Sequence, residues 1–111
     1  MFGLPTKFTK HEVMVGLNDK VTKTQLVPTI EAFKAASSIV ARYYDGASIY
    51  QGNGVYKHDD GTVVFEESLK IDILVFDKKN DNIDGLIEEL KLKLNQESVA
   101  IQTSRVSSRL M

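Results

Sequence analysis

The longest regular pattern in the chain is an alternation of apolar and polar residues over positions 62–76, TVVFEESLKIDILVF. A period of two is typical of a β-strand, because successive side chains point to opposite faces of a sheet. On one face the apolar line runs from Val63 to Val75 and is interrupted only at Glu67. The segment therefore predicts a long strand with one buried face, and the rest of the fold has to supply the layer that buries it.

Shorter patterns on either side predict two helices and three further strands. Apolar residues at helical spacing predict a first helix that begins at 25–28 and ends at Tyr43 or Tyr44, and a second helix after DKKNDN. The segments HEVMVGLN, SIYQGNGVYK and ESVAIQTSRV have the character of strands. The order β-α-β-β-α-β predicts an α+β, ferredoxin-like fold, with two helices on one face of a four-stranded antiparallel sheet. An open α+β fold with another strand order is the alternative.

A chain of 111 residues is most simply one domain with a single hydrophobic core. Residues 1–10 contain Gly3 and Pro5 and have no usable period, so we predict an N-terminal arm there. Residues 11–103 then form the α+β domain. Residues 104–111 form a C-terminal tail that is either frayed or docked on a partner.

The composition argues against several classes of function. Basic and acidic residues number 14 and 15, so the chain lacks the cationic surplus that binding to duplex nucleic acid usually requires. Because there is no cysteine, disulfides, thiolate catalysis and cysteine-ligated zinc are excluded, and no cofactor is expected. The sequence has no signal-peptide core and no apolar segment of membrane length. We therefore expect no membrane partner and a cytoplasmic location, in the host cytoplasm if the protein is viral.

The strand SIYQGNGVYK is unusual because it contains Gly52 and Gly54. Glycine weakens a strand, so its presence indicates either a β-bulge in an edge strand or a backbone that is left open to a ligand. Tyr50 and Tyr56 flank the glycines and lie on one side of the strand if no bulge intervenes. Together with Asn53, these residues form one half of a predicted ligand site.

The other half of the predicted site is at Arg105 and Arg109, near the end of the sequence. A guanidinium group among serines suits a phosphate or a carboxylate, since it offers a planar fork of hydrogen-bond donors. A salt bridge between subunits is the alternative role for Arg105.

No residue is predicted to be catalytic, and no metal site is predicted. His11 and His58 are far apart in the sequence, and neither has a second ligand at helical spacing. Glu67 interrupts an apolar line, so its carboxylate must be paired at an end of the sheet or must contact a ligand. The sequence alone therefore predicts that the protein is not an enzyme.

The segments GNGVYKHDDGTVVFEESLKIDILVF and NQESVAIQTSRV resemble a family of short, uncharacterised bacterial and phage domains. The resemblance covers the last two-thirds of the chain and implies the same α+β fold, without an activity that could be assigned to numbered residues. In general type, the chain is also similar to small oligomeric phage proteins that sequester cyclic nucleotide immune signals. That similarity implies an anti-defence role as a nucleotide sponge.

Taken together, these features predict a non-catalytic protein that binds an anionic, nucleotide-like ligand at a subunit junction of a homo-oligomer. A domain of this size has little room for a ligand pocket of its own, which favours a junction between copies. Two alternatives stay open. One is a small dimeric ferredoxin-like enzyme that uses His11 or Glu67, and the other is a protein-interaction module that pairs through a sheet edge.

Overall fold

The structure, a computed structural model, describes residues 6–76 and 78–109. It contains four strands and two α-helices in the predicted order. The strands are β1 (Thr6–Gly16), β2 (Ser48–Lys57), β3 (Val63–Val75) and β4 (Ala100–Ser108), and the helices are α1 (Thr29–Tyr43) and α2 (Ile83–Lys93). A short 3-10 helix, Lys78–Asn80, precedes α2. Among the described residues, no helix is long and apolar enough to cross a membrane.

The four strands form one antiparallel sheet in the order β2-β3-β1-β4. The long strand β3 lies in the interior of the sheet, between β2 and β1, and β2 and β4 are the two edge strands. This strand order is that of the ferredoxin-like fold, so the predicted fold class is confirmed.

Both helices cover one face of the sheet, which we call the helix-facing side, and the opposite side is the open face. Odd-numbered residues of β1 and β3 point to the helix-facing side, and those beneath the helices are buried, including Val13, Leu69 and Ile71. Leu86 and Leu90 of α2 complete the same core. Each such side chain contributes roughly 1.5–3 kcal/mol by leaving water, so this layer fixes which residues remain on the open face.

Strands β1 and β4 are longer than predicted. Thr6 pairs with Ser108, so residues 6–10 and 104–108 belong to the sheet instead of forming an arm and a tail. The prediction missed these ends because they are rich in Lys, Thr and Ser and therefore lack an apolar alternation. Residues 1–5, 110 and 111, which the predicted arm and tail also included, lie outside the described residues.

The β2–β3 hairpin extends beyond the helices. The apolar line of β3 is buried only from Leu69 onwards, and Phe65 is 76% exposed. At the tip, Gly61 has a φ of +92°, a conformation that glycine adopts readily, which explains the Asp-Gly sequence of the turn. The distal part of the hairpin therefore presents side chains to solvent on both faces.

The two helices begin differently. α1 starts at Thr29, after Pro28, and no side chain caps it, so it begins slightly later than the predicted range 25–28. α2 is capped by Asn82, whose Oδ1 accepts a hydrogen bond from the Gly85 N–H at 3.1 Å. This cap fixes the start of α2, next to Asp81.

Asn82→Ala is expected to lower the free energy of unfolding by about 1 kcal/mol, because the Gly85 N–H loses its acceptor. Urea unfolding at neutral pH measures the change. Asn82→Asp keeps an acceptor oxygen and should retain most of the stability. Equal losses in both variants would contradict the capping role.

Candidate functional site

The structure separates the two halves of the site predicted from sequence. Tyr50, Gly52, Gly54 and Tyr56 pair with Lys70, Ser68, Glu66 and Val64, so they lie on the open face at the β2 edge. Asn53 pairs with Glu67 and points to the other side. Arg105 lies in β4, the opposite edge strand, and Arg109 directly follows that strand. Within one chain, the tyrosines and the arginines therefore cannot contact the same ligand.

The glycines of β2 do not form a bulge. Pairing between β2 and β3 runs without interruption from Ser48 to Lys57. An added Cβ would meet the Ser68 Oγ at 3.6 Å from Gly52, and the Glu66 carbonyl oxygen at 3.7 Å from Gly54, both ordinary contacts. The bulge alternative is therefore wrong, and the two glycines leave a bare strip of backbone on the open face.

Replacing both Gly52 and Gly54 by alanine is expected to raise the free energy of unfolding by about 0.5–1 kcal/mol per site, since alanine loses less backbone entropy on folding. The same variant should bind a ligand of the open face more weakly, because methyl groups cover the strip. Urea unfolding and a binding titration measure the two effects. A loss of stability would show that the structure has no room for a methyl group at these two positions.

Tyr56 lines a cavity at the base of the hairpin, which we call the hairpin-base cavity. Its volume is ≈220 Å³. It is lined by the end of β1, the loop that follows, the hairpin and the residues after α2: Gly16, Asn18, Asp19, Lys20, Lys23, Tyr56, Glu66, Gln96, Glu97 and Ser98. The ring of Tyr56 is packed edge-on against His58, with ring centroids 5.5 Å apart.

Glu66 is the fixed carboxylate of this cavity. Its Oε2 accepts a hydrogen bond from the Asn18 backbone N–H at 2.8 Å. The carboxylate lies directly over Gly16, where a Cβ would be 2.5 Å from its Cδ and Oε1. Glycine at position 16 therefore makes room for the carboxylate, and the position of Glu66 depends on it.

Charges of both signs surround the cavity. Hydrogen bonds from the Asn95 amide and from the Thr22 and Val21 N–H groups hold the pKa of Asp19 below its ordinary value, so this carboxylate is ionised at neutral pH. Lys20 and Lys23 line the same cavity. The arrangement suits a ligand that carries a cation near Glu66 and an anion near the lysines.

Glu67, which the sequence singled out, has a local partner. Its Oε2 accepts a hydrogen bond from the Thr29 hydroxyl at the start of α1. A carboxylate is stabilised near a helix N-terminus, because the helix dipole is positive there. Pairing at an end of the sheet is therefore the role that the contacts support, and Glu67 does not line the hairpin-base cavity.

His11 is buried in a network that sequence spacing did not indicate. The imidazole, 3% exposed, lies 2.7 Å from the Thr103 hydroxyl through Nδ1 and 2.9 Å from Asp81 Oδ2 through Nε2. Tyr44 donates its hydroxyl to Asp81 Oδ1 at 2.6 Å. These residues belong to four different elements or loops, so only the fold brings them together.

Contacts within the network shift the pKa values of Asp81 and Tyr44. Burial alone raises the pKa of Asp81, but the hydrogen bonds from Tyr44 and His11 outweigh it and hold that pKa below its ordinary value. Burial, together with the hydrogen bond to Asp81, raises the pKa of Tyr44 above its ordinary value. Asp81 is therefore an anion at neutral pH, and Tyr44 is a neutral donor.

The most spacious cavity described, ≈900 Å³, is an open groove between α1 and α2. Arg42 and Glu89 of its lining are already paired with each other, at 2.9 Å. No cluster of three or more His, Cys, Asp or Glu residues that could hold a metal ion occurs in the part of the chain that the structure describes. The hairpin-base cavity and the His11 network are thus the two candidates for chemistry.

The chain belongs to a protein family described as "Protein of unknown function (DUF3574)", whose family model matches residues 10–109. This confirms the resemblance to an uncharacterised family and extends it from the last two-thirds to almost the whole chain. No curated protein sequence matches the chain.

Solved structures share the fold. A phage SAM lyase in complex with S-methyl-5'-thioadenosine has a TM-score of 0.66 and 24% identity, over 93% of this chain and 90% of that chain. A phage SAM lyase in its apo state has a TM-score of 0.64 and 24% identity, over 99% and 95%. CutA from Synechococcus elongatus has a TM-score of 0.59 and 14% identity, over 96% and 84%. At these identities the likeness shows the fold alone.

These similarities correct the prediction that the chain is not an enzyme. Two of the similar structures are of a lyase, so this fold carries catalysis in a protein of nearly the same length. The sequence argument relied on the lack of a known catalytic motif, and such a lack does not exclude catalysis. The phage connection of the predicted family is consistent with these relatives.

Proposed function

We propose that this protein binds a cationic nucleoside of the S-adenosylmethionine type in the hairpin-base cavity and acts on it as a small enzyme. The observation that carries the proposal is the fixed Glu66 carboxylate, which lines the same small cavity as the half-exposed ring of Tyr56. A carboxylate and an aromatic ring are the two protein groups that attract a sulfonium cation.

The energies favour such a ligand. A unit charge about 4 Å from Glu66 gains on the order of 1–4 kcal/mol, depending on how much water remains. A cation over the Tyr56 face adds about 0.5–2 kcal/mol. Lys20 and Lys23 can bind the carboxylate of an amino acid moiety. A zwitterionic amino acid with a sulfonium centre therefore matches the charges around the cavity.

The fold supports the same class of ligand and suggests the reaction. The lyase of similar fold was solved with S-methyl-5'-thioadenosine. This thioether is left when the bond between the sulfonium sulfur of S-adenosylmethionine and the carbon chain of its amino acid moiety breaks and the sulfur keeps the bonding electrons. An elimination of this kind needs a group that accepts a proton from carbon. Glu66 is held where it can bind the cation or accept that proton.

The ligand site requires a second copy of the chain. A pocket for a drug-sized molecule measures roughly 300–1,000 Å³, whereas the hairpin-base cavity measures ≈220 Å³. A junction between copies, predicted from the sequence, would enlarge it. We therefore propose a homo-oligomer in which a neighbouring chain closes the cavity.

Charge complementarity identifies the surface of the second copy. Residues 52–67, the acidic hairpin, carry four acidic side chains and one lysine. Residues 6–10 and 100–109, the basic edge, carry two lysines and two arginines and no acid. The two surfaces lie at opposite edges of one sheet, so they can meet only between copies, in a head-to-tail contact.

Binding of an anionic nucleotide at the same junction is the second candidate, and the basic edge favours it. Arg105 and Arg109 of one copy would bind the phosphate, while Tyr50 and Tyr56 of another would stack on the base. A role in sequestering an immune signal would follow from such binding. Because the Glu66 carboxylate lies on the open face beside Gly54, where it would repel a phosphate, we rank the cationic ligand first.

The test is incubation of the purified protein with S-adenosylmethionine, followed by chromatography and mass spectrometry of the small molecules. Native mass spectrometry with the same compound and with mono-, di- and cyclic nucleotides reports binding and oligomeric state. Appearance of S-methyl-5'-thioadenosine supports the proposal. Retention of an unchanged anionic nucleotide supports the second candidate, and an oligomer that binds neither refutes both.

Tyr56→Leu is expected to weaken binding of S-adenosylmethionine about ten-fold, because the aromatic face over the cation is lost. Tyr50→Leu is the matched control, since Tyr50 lies on the same strand and face but does not line the cavity. A calorimetric titration of both variants measures the effect. Equal loss in the two would contradict the placement of the ligand at the hairpin base.

A mixing experiment tests the junction. Glu66→Gln and Arg105→Ala change opposite sides of the proposed contact, so each homo-oligomer should be impaired. If a junction uses Glu66 of one copy and Arg105 of the next, co-assembly of the two variants at equal amounts restores about a quarter of the junctions. No recovery after co-unfolding and reassembly would show that Arg105 does not take part in the site.

A further inference from the structure

We infer that Thr103, His11 and Asp81 form a second reactive site, in which the Thr103 hydroxyl is a nucleophile toward activated esters that carry an anionic group. The site lies on the helix-facing side of β4, opposite the middle of β1, whereas the hairpin-base cavity lies at the end of β1, beside Gly16. The inference is independent of the proposed function.

The three groups have the connectivity of a nucleophile, a base and an orienting acid. The Thr103 Oγ1 is 2.7 Å from His11 Nδ1, and His11 Nε2 is 2.9 Å from Asp81 Oδ2 and 3.1 Å from Asp81 Oδ1. These distances are those of ordinary or short hydrogen bonds. A chain of this kind is the arrangement that activates a hydroxyl in proteins that use a histidine base.

The acid sets the direction of the hydrogen bonds. Asp81 is ionised, and its side chain is only 18% exposed, so it acts as an acceptor. It lies one residue before the cap of α2, where the helix dipole favours a negative charge. The ionised Asp81 favours the His11 tautomer with the proton on Nε2. In this tautomer the Nε2–H donates a hydrogen bond to Asp81, and Nδ1 accepts a hydrogen bond from the Thr103 hydroxyl.

Tyr44 strengthens this assignment. Its hydroxyl donates to Asp81 Oδ1 at 2.6 Å. This second hydrogen bond keeps the Asp81 carboxylate from rotating, so that Oδ2 stays directed at the imidazole. Asp81 and Tyr44 do not reach the reacting atoms and are positioning residues. His11, buried at 3% exposure, is fixed in one orientation by contacts at both ring nitrogens.

The surroundings of Thr103 indicate the class of substrate. Thr103 is exposed, and Ile101 and Arg105 point to the same side of β4 as its nearest neighbours along the strand. Among residues 6–76 and 78–109, Arg105 makes no ion pair, so its guanidinium is available for a carboxylate or phosphate. An ester with a short apolar body and an anionic end would place its carbonyl carbon at Thr103, its apolar body on Ile101 and its anion at Arg105.

The proposed contact with a second copy leaves the Thr103 side chain accessible. That contact uses the charges of Arg105 and Arg109, so Arg105 binds either the ester or the second copy. Thr103 projects toward the helix-facing side from the middle of the strand and carries none of the charge of the contact.

The reaction balances with water as the only co-reactant. The Thr103 oxygen forms a bond to the carbonyl carbon of the ester while its proton moves to His11 Nδ1. The bond from that carbon to the leaving oxygen breaks, and the proton passes from His11 to the departing alcohol. Water then hydrolyses the acyl-threonine, with His11 again accepting and returning one proton.

The test is covalent labelling of the full chain with an alkyl fluorophosphonate, followed by intact mass spectrometry and peptide mapping. The Thr103 oxygen bonds to phosphorus, fluoride leaves, and the proton is released through His11. We expect one adduct, on Thr103. No adduct on the wild-type protein, or an adduct on another residue only, overturns the inference.

Variants distinguish a Thr103 hydroxyl that is activated by the network from one that is merely exposed to the reagent. Thr103→Val is isosteric and exposed, so it should fold normally and take no label. Thr103→Ser should be labelled at least as fast as the wild type, because it is less hindered. Asp81→Asn should slow labelling about 100-fold. Ser104→Ala, the neighbouring hydroxyl on the opposite face, is the control and should be labelled at the wild-type rate. Labelling of Thr103 at an unchanged rate in Asp81→Asn would refute the role of the network.

Discussion

Gly16→Ala is expected to weaken binding of S-adenosylmethionine at least ten-fold while changing the free energy of unfolding by less than about 1 kcal/mol. The alanine Cβ would lie 2.5 Å from the Glu66 carboxylate, so the carboxylate has to move. Because that carboxylate is the end of a flexible side chain, the move is inexpensive for the fold. It does, however, remove the hydrogen bond that fixes Glu66 to the Asn18 N–H at 2.8 Å.

The measurement is a binding titration together with urea unfolding. Glu66→Gln, which removes the charge and keeps the shape, should weaken binding to a similar extent, since a charge-assisted contact is worth roughly 1.5–3 kcal/mol. Glu97→Gln is the matched control, because Glu97 lines the same cavity but, within the described residues, makes no hydrogen bond such as the one that fixes Glu66. If Gly16→Ala binds like the wild type, Glu66 does not hold the ligand.

The sequence was sufficient for the fold because the buried layers have clear periods. The alternation over 62–76 and the apolar faces of the two helices predicted the element order, and the core residues Leu69, Ile71 and Leu86 occupy those patterns. The ends of β1 and β4 were missed, since the side chains there are polar on both faces. Their pairing follows from backbone hydrogen bonds between distant segments, which local patterns do not encode.

The site was only partly predictable. The sequence drew attention to Glu67 because it breaks an apolar line, yet the carboxylate in the cavity is its neighbour Glu66, which looked like an ordinary polar residue of the open face. Nothing in the spacing relates Glu66 to Gly16, since the two positions meet only through the pairing of β1 with β3. The tyrosines, in contrast, were found because aromatic residues beside glycines are conspicuous in a strand.

The same reasoning explains why His11 was set aside. A lone histidine without a partner at helical spacing is usually structural, and its three partners here come from a loop, a distant strand and the end of α1. One network therefore serves two purposes in this structure. It ties β1, β4 and both helical segments together, and it orients the Thr103 hydroxyl.

Asp81→Ala is expected to lower the free energy of unfolding at neutral pH by about 3 kcal/mol. The substitution leaves the Tyr44 hydroxyl and the His11 Nε2–H without the acceptor that now binds them at 2.6 Å and 2.9 Å. Loss of the acceptor for one buried donor and one partly buried donor costs more than loss of a surface ion pair such as Arg42–Glu89, which is worth at most about 1 kcal/mol. Urea unfolding of Asp81→Ala beside Arg42→Ala measures the contrast.

The pH dependence of this loss identifies the network as its cause. The pKa of Asp81 is lowered in the folded state, so its contribution is fully present above its ordinary pKa of 3.8 and is lost as the pH falls through the folded-state value. The pKa of Tyr44 is raised above its ordinary 10.0, so its contribution is present below pH 10 and is lost as the pH rises further. The difference in free energy of unfolding between the wild type and Asp81→Ala should therefore be largest between about pH 4 and pH 10, and it should become smaller in acid. A difference that stays constant down to pH 2 would mean that the cost is one of packing and not of the buried carboxylate.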